Sequence, residues 1–212
     1  MDDKSILDVW TMSARERRDV CVIPDGCRDV IVVRHESGKT EAFISPLYRQ
    51  TIRVEVKPKT EWTGFRLRPG CDVKGIDMPG LLASPHSTDA LIDRIECSTR
   101  VDANTAEAVG CIKRHGVSVQ HCAKQLGVSP RTLQRLLARN TRRSPSFWLR
   151  LARVRLCART LVESGVRPEV AYECHYADQA HMCREIKEWF GVSPSALLQR
   201  RDLTEQLFWR AY

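Results

Sequence analysis

At 212 residues, 42% of them hydrophobic, the chain is long enough for one large domain or two small ones with an ordinary buried core. Thirty-four Lys and Arg against 26 Asp and Glu give a net charge of +8. The sequence holds no apolar run of about 18 residues to span a membrane. The acidic start MDDKSILDVW lacks an apolar leader core, so the expectation is a cytoplasmic protein with no membrane partner.

In chain order, RDVIVV (28–33) is an apolar run followed by the turn HESGKT, in which His35 falls. TIRVEV (51–56) puts Ile52, Val54 and Val56 on one face. TGFRLRPG (63–70) alternates with Phe65 and Leu67 inward and ends in a Pro-Gly turn. Short strands between Gly, Pro and Asp turns predict a small β-rich barrel or sandwich over residues 1–98. TDALIDRIE (88–96) reads as a helix capped by Thr88, with a linker near 97–103.

From residue 103 the period becomes helical. Ala103 to His115 is a short helix stopped by Gly116. SVQHCAKQLG (118–127) has Ser118 as N-cap and Val119, Cys122, Ala123 and Leu126 on one face. VSPRTLQRLLARN follows, with Ser129 as cap, Pro130 in the first turn, and Leu133, Leu136 and Leu137 as the apolar stripe. Two short helices joined by a tight turn with Gly are the helix-turn-helix pattern. A long helix runs from Ser144-Pro145 to Gly165, with Phe147, Trp148, Leu151, Val154, Ala158 and Leu161 inward.

The pattern then repeats at an offset of 48 to 49 residues. Ala171 matches Ala123, Cys174 matches Leu126, and His175 matches Gly127. After one extra residue Asp178 matches Ser129 as N-cap, Met182 matches Leu133, Ile186 matches Leu137, and Ser193-Pro194 matches Ser144-Pro145. The fold class is therefore α+β: a small β-rich unit followed by an all-α tandem helix-turn-helix domain over 103–201, with 202–212 as a C-terminal tail.

Charge follows the same division. Residues 1–100 carry 16 cations and 16 acids, and residues 101–212 carry 18 and 10. Within 131–159 lie nine arginines (131, 135, 139, 142, 143, 150, 153, 155, 159) and no acid. Such a run repels itself unless a polyanion relieves it, and nucleic acid is the commonest one.

The tandem units, their caps and Ser-Pro stops, and the ending DQAHMCREIKEWFGVSPSALLQR resemble the AraC/XylS family of bacterial transcription regulators. IPDGCRDVIVV and GFRLRPG resemble the short, degenerate β-rich sensor domain of some members. His175 and Arg142 stand where the family has Gly, which implies a positive φ at His175. Met182, Ile186 and Leu198 replace aromatics.

The second helix of each unit should enter a major groove. With the leucines inward, Arg131, Gln134, Arg135 and Ala138 face out, and the family's DNA-reading positions fall on Arg131, Gln134 and Arg135. Arg suits guanine O6/N7 and Gln suits adenine N6/N7. In the second unit Gln179, Ala180, Cys183, Arg184 and Lys187 face out. The resemblance carries base reading to Gln179 and Arg184, with Ala180 against a thymine methyl and Cys183 beside Arg184. Ser129, Arg139, Arg142, Arg143, His181 and Lys187 are candidate phosphate contacts; Arg150 is a phosphate contact or a solvated charge. Expected partners are double-stranded DNA, a small-molecule effector of unknown identity, RNA polymerase if the protein activates, and a second copy of the chain.

The stretch CHYADQAHMC (174–183) has two Cys and two His, as a zinc site would. On the repeat, however, Cys174 is buried under a turn, His175 forms the turn and Asp178 caps the next helix. His181 and Cys183 point about 200° apart on that helix. No metal or cofactor is expected. An alternative function is thiol- or metal-responsive control of DNA binding through Cys21, Cys27 and Cys71. An enzyme is not expected: residues 1–100 offer only His35 and His86, with no nucleophile–base pair and no phosphate-binding Gly loop.

Overall fold

The computed structural model describes residues 4–83 and 87–209; His86 lies outside them. The β-rich half contains β1 (Ile6–Ala14), β2 (Arg18–Val22), β3 (Arg28–His35), β4 (Thr40–Ile44), β5 (Ile52–Val56), β6 (Thr60–Leu67) and β7 (Cys71–Asp72). Helices α1 (Met78–Ala83) and α2 (Thr88–Ser98) follow, then β8 (Arg100–Val101). β1, β6, β3 and β4 form one antiparallel sheet in that order, β2 pairs with β5, and β7 pairs with β8.

The register explains the hydrophobic pattern. Val30 of β3 lies between Phe65 of β6 and Ile44 of β4. Val30, Val32, Phe65 and Leu67 form a core with Leu81 of α1 and with Leu91 and Ile95 of α2. His35 both ends β3, pairing with Thr60, and opens the turn, its carbonyl accepting from the Gly38 N–H at 2.9 Å. Two expectations change in detail. The cap of α2 is Ser87, whose hydroxyl accepts from the Ala90 N–H at 3.2 Å; Thr88 is already helical. The expected linker is mostly ordered, because α2 runs to Ser98 and β8 pairs back onto β7.

The helical half contains α3 (Ala103–His115), α4 (Val119–Gln125), α5 (Pro130–Thr141), α6 (Pro145–Ser164), α7 (Glu169–Glu173), α8 (Gln179–Phe190) and α9 (Pro194–Leu198). Each predicted cap closes a first turn. The hydroxyls of Ser118, Ser129, Ser144 and Ser193 accept from the N–H three residues on, at 3.1 to 3.3 Å, and the Asp178 carboxylate does so at 2.6 Å. Such a cap contributes about 1 kcal/mol. α6 runs through the core, with Trp148, Leu151, Val154, Ala158 and Leu161 fully buried.

The two halves share this core. Ile23 and Leu47 of the β-rich half pack into the helical cluster. The residues read as a tail continue as α10 (Arg201–Thr204) and a 3-10 turn (Glu205–Phe208). Leu203, Gln206 and Leu207 there are buried. The Gln206 amide donates to the Cys21 carbonyl at 2.8 Å and accepts from the Ile23 N–H at 3.3 Å. Arg155 of α6 donates to the carbonyls of Pro24 (3.0 Å) and Leu207 (3.1 Å). Burial pulls its pKa down to about 10.

Candidate nucleic-acid interface

The two helix-turn-helix units are α4–α5 and α7–α8, and their turns have the same geometry. Gly127 has φ 65° and His175 has φ 59°. In the first turn the Gly127 N–H donates to the Lys124 carbonyl and the Val128 N–H to the Ala123 carbonyl, at 3.1 and 3.0 Å. In the second, the His175 N–H donates to the Tyr172 carbonyl and the Tyr176 N–H to the Ala171 carbonyl, at 3.0 and 2.8 Å. Both turns satisfy the orphan carbonyls of the preceding helix. His175 therefore holds the conformation that a glycine would. Arg142 (φ 57°) and Gly191 (φ 76°) form a second such pair, ending α5 and α8.

α5 is sharply two-sided. Leu133 and Leu137 are buried and Leu136 is half-buried, whereas Arg131, Gln134, Arg135, Ala138 and Arg139 are exposed. α8 buries Met182, Ile186, Trp189 and Phe190 and exposes Gln179, Ala180, Arg184 and Lys187. The repeat offset places Ala180 at the position of Arg131, Cys183 at that of Gln134, and Arg184 at that of Arg135.

Cys183 and His181 depart from the expected outward placement. Cys183 is half-buried against the core. His181 is half-buried, its ring edge-on to Tyr176 with centroids 5.2 Å apart. Tyr176, in the turn that is one residue longer, is buried. Among the remaining residues of the stretch, Cys174 is buried. The hydrogen bond it shares with Cys157, together with burial, pushes the Cys157 thiol up.

The acid-free arginine run is partly neutralised by carboxylates from outside it. Glu185 of α8, 3% exposed, accepts from Arg150 Nε at 2.6 Å and from Arg153 Nε at 3.0 Å. Glu188 accepts from Arg150 Nη2 at 2.6 Å. Arg155 and Arg159 bond backbone carbonyls. Arg143 donates to the Leu47 carbonyl and lies over the Phe147 ring, so it fastens the β-rich half to α6. The charge argument thus applies to Arg131, Arg135, Arg139 and Arg142, which remain exposed. Sequence reasoning missed Glu185 because it lies outside the run, at the position Leu136 occupies in the first unit.

A cavity of about 370 Å³ opens between the four-stranded sheet and the β2–β5 pair. Its wall is aromatic: Trp10, Phe43, Tyr48 and Trp62, with Trp209 and Gln206 contributed from beyond α10. Trp10 lies flat over Gly64, where a Cβ would come within 2.0 Å of the indole ring. Its Nε1–H is buried without a partner. Arg66 at the wall bonds Asp25 (3.0 Å) and Asp29 (3.2 Å). Burial pushes the Asp25 carboxyl up, against the pull of Arg66.

Cys27 and Cys71 are buried, and Cys21 takes a hydrogen bond from Arg200 at 3.3 Å. Burial pushes the Cys71 thiol up. Among the described residues no three His, Cys, Asp or Glu side chains group as a metal site would require, and no helix is long and apolar enough to cross a membrane.

Residues 122–200 match the family model described as a helix-turn-helix domain. The chain is 28% identical over 178 residues to the HTH-type transcriptional regulator VirS of Mycobacterium tuberculosis, covering 81% of this chain and 50% of that one. It thus spans about half the length of the curated relatives it matches. Among solved structures it is similar to the C-terminal domain of AraT, a response regulator from Geobacillus stearothermophilus. That match has 24% identity, covers 47% of this chain and 87% of the other, and has a TM-score of 0.43. ToxT from Vibrio cholerae O395 aligns at 10% identity over 91% of this chain and 96% of its own, with a TM-score of 0.46.

Proposed function

We propose that the C-terminal half of this chain is a DNA-binding unit of the AraC/XylS family, as the helix-turn-helix match over residues 122–200 and the 28% identity to VirS support, and that the protein binds double-stranded DNA with α5 and α8 in successive major grooves. Grooves on one face of the duplex recur at about 34 Å. One chain then reads a site without internal symmetry. The observation that carries this reading is the pair of matched helices α5 and α8, each capped, each buried on one side and each exposing polar residues on the other.

Arg131, Gln134 and Arg135 read base edges in the first groove. Gln179, Arg184 and the methyl of Ala180 do so in the second. Cys183 and His181 contribute at the margin of that stripe. Ser129, Arg139, Arg142 and Lys187 set the register on phosphates. Arg143 serves mainly to hold the β-rich half.

The β-rich half (1–98) senses an effector and the helical half (103–201) binds DNA. The aromatic cavity supports a small, largely apolar effector, because ligand sites of this size are concave, apolar and sparsely polar. Its wall includes Gln206 and Trp209, which connect it to α6 through Leu207. The protein acts in the cytoplasm as a regulator and not as an enzyme, contacting RNA polymerase where it activates and pairing with a second copy where sites are duplicated.

Selection of bound sequences from a random duplex library, followed by footprinting of the winner, tests the reading. Two protected major grooves per chain, one turn apart, are expected. A single protected groove would overturn it.

A further inference from the structure

A polar hollow of about 330 Å³ lies where the β-rich half meets both helix-turn-helix units. Arg49 comes from the loop before β5, Arg142 from the end of α5, Ser144 and Ser146 from the start of α6, and Trp189 from the last turn of α8. Arg143 and Arg150 complete the cationic wall, and no carboxylate lines it among the described residues.

Every charged group that lines the hollow is a cation, and the serine hydroxyls beside them can donate as well as accept. Arg49 and Arg142 make no ion pair among the described residues. Arg143 spends one N–H on the Leu47 carbonyl; burial and the nearby Arg49 charge both act against its cation. α6 is a 20-residue helix whose start faces the hollow; Pro145 has no N–H and Ser144 caps the Phe147 N–H, so the first turn contributes the positive end of the helix dipole and the Ser146 N–H. Independently, the indole of Trp189, 2% exposed, leaves its Nε1–H buried without a partner. A buried donor left unpaired is costly. Like charges gathered in one wall are costly too; Glu185 and Glu188 offset Arg150, whereas Arg49 and Arg142 have no ion pair among the described residues.

Both costs are removed by one kind of guest. We propose that this hollow binds a phosphate-type oxyanion, held by Arg49 and Arg142, by the N-terminus of α6 and by the Trp189 indole. Guanidinium groups and helix N-termini are the donors that suit a phosphate. The loop carrying Arg49 is already tied to α8, since the Thr51 N–H donates to the Trp189 carbonyl at 2.7 Å. An anion here joins that loop to α5 and α6 as well, so the site clasps the sensing half to both DNA-reading units. The phosphate comes either from the DNA backbone or from a free phosphorylated compound; the chemistry of recognition is the same.

Calorimetric titration of the full chain with pyrophosphate at low salt tests this. Saturable binding is expected, displaced by sulfate. Arg49→Gln, an exposed change outside the recognition helices, should weaken it at least tenfold. Trp189→Phe, which keeps a ring and removes the N–H, should weaken it several-fold; circular dichroism confirms that each variant is folded. Lys124→Gln, an equal loss of charge elsewhere on the surface, should leave it within twofold. If saturating duplex DNA excludes pyrophosphate, the natural guest is a backbone phosphate. If both bind together, it is a free anion. Absence of saturable binding, or equal weakening by Arg49→Gln and Lys124→Gln, overturns the site.

Discussion

Arg153 of α6 grips Glu185 of α8 with two N–H groups, Nε at 3.0 Å and Nη2 at 2.9 Å from the same carboxylate oxygen. The equivalent position in the first unit is Leu136, so α5 packs there with an apolar side chain, whereas α8 adds to its apolar packing a charged clasp that Arg150 shares. Removing one partner of a buried pair costs about 3–5 kcal/mol. Here both arginines keep partial access to water, so Glu185→Gln is expected to cost about 1–3 kcal/mol. Thermal unfolding measures the loss. Binding to the half-site under α8 should fall more than binding to the half-site under α5.

Arg131 sits on the exposed stripe of α5 near its capped start. Arg131→Ala should relax discrimination at one base pair by about 1–3 kcal/mol, as read from competition between matched and mismatched duplexes. Arg139, farther along the same helix, should behave differently. Its removal should weaken all duplexes alike and lower the salt slope by about 1.

The left-handed turn residues make a reciprocal test. His175 occupies φ 59° where Gly127 occupies φ 65°. His175→Gly should stabilise the fold by about 0.5–1 kcal/mol, because glycine adopts this conformation without steric cost. Gly127→Ala should destabilise by about 1 kcal/mol, although the space around it is open. Equal melting temperatures for wild type and both variants would contradict the strain argument.

Gly64 is the floor beneath Trp10. In Gly64→Ala the new methyl would overlap the indole, so Trp10 must swing into the cavity. A cost of about 1–3 kcal/mol is expected for the displaced packing. Tryptophan emission should shift and any ligand of the cavity should be lost, while the fold of the helical half, followed by its circular dichroism, should persist.

Much of the helical half was legible in the sequence because its signals are local. A serine before a proline, a leucine every third or fourth residue and a small residue at each turn act within one helix. For the same reason the repeat could be aligned residue by residue, and the positive φ at His175 follows from its place in it, while that at Arg142 came from the structure. Strands β3, β5 and β6 were legible where alternation was clean. β1, β2 and β4 were not, since partners far along the chain define them; Trp10 is paired with Gly64 and Val20 with Val54.

The sequence by itself determined the layout of the protein: a β-rich half with no net charge, a basic helical half, and a helix-turn-helix pattern repeated along that half. Only the tertiary structure decided which charges are free. Arg143, Arg150, Arg153, Arg155 and Arg159 look alike in a run without acids. Yet Glu185, Glu188 and the carbonyls of Leu47, Pro24 and Leu207 reach them from other elements. It also decided that residues past 201 close a cavity and that Cys183 turns inward. Electrostatic pairing and burial depend on distance in space, and a sequence records only distance along the chain.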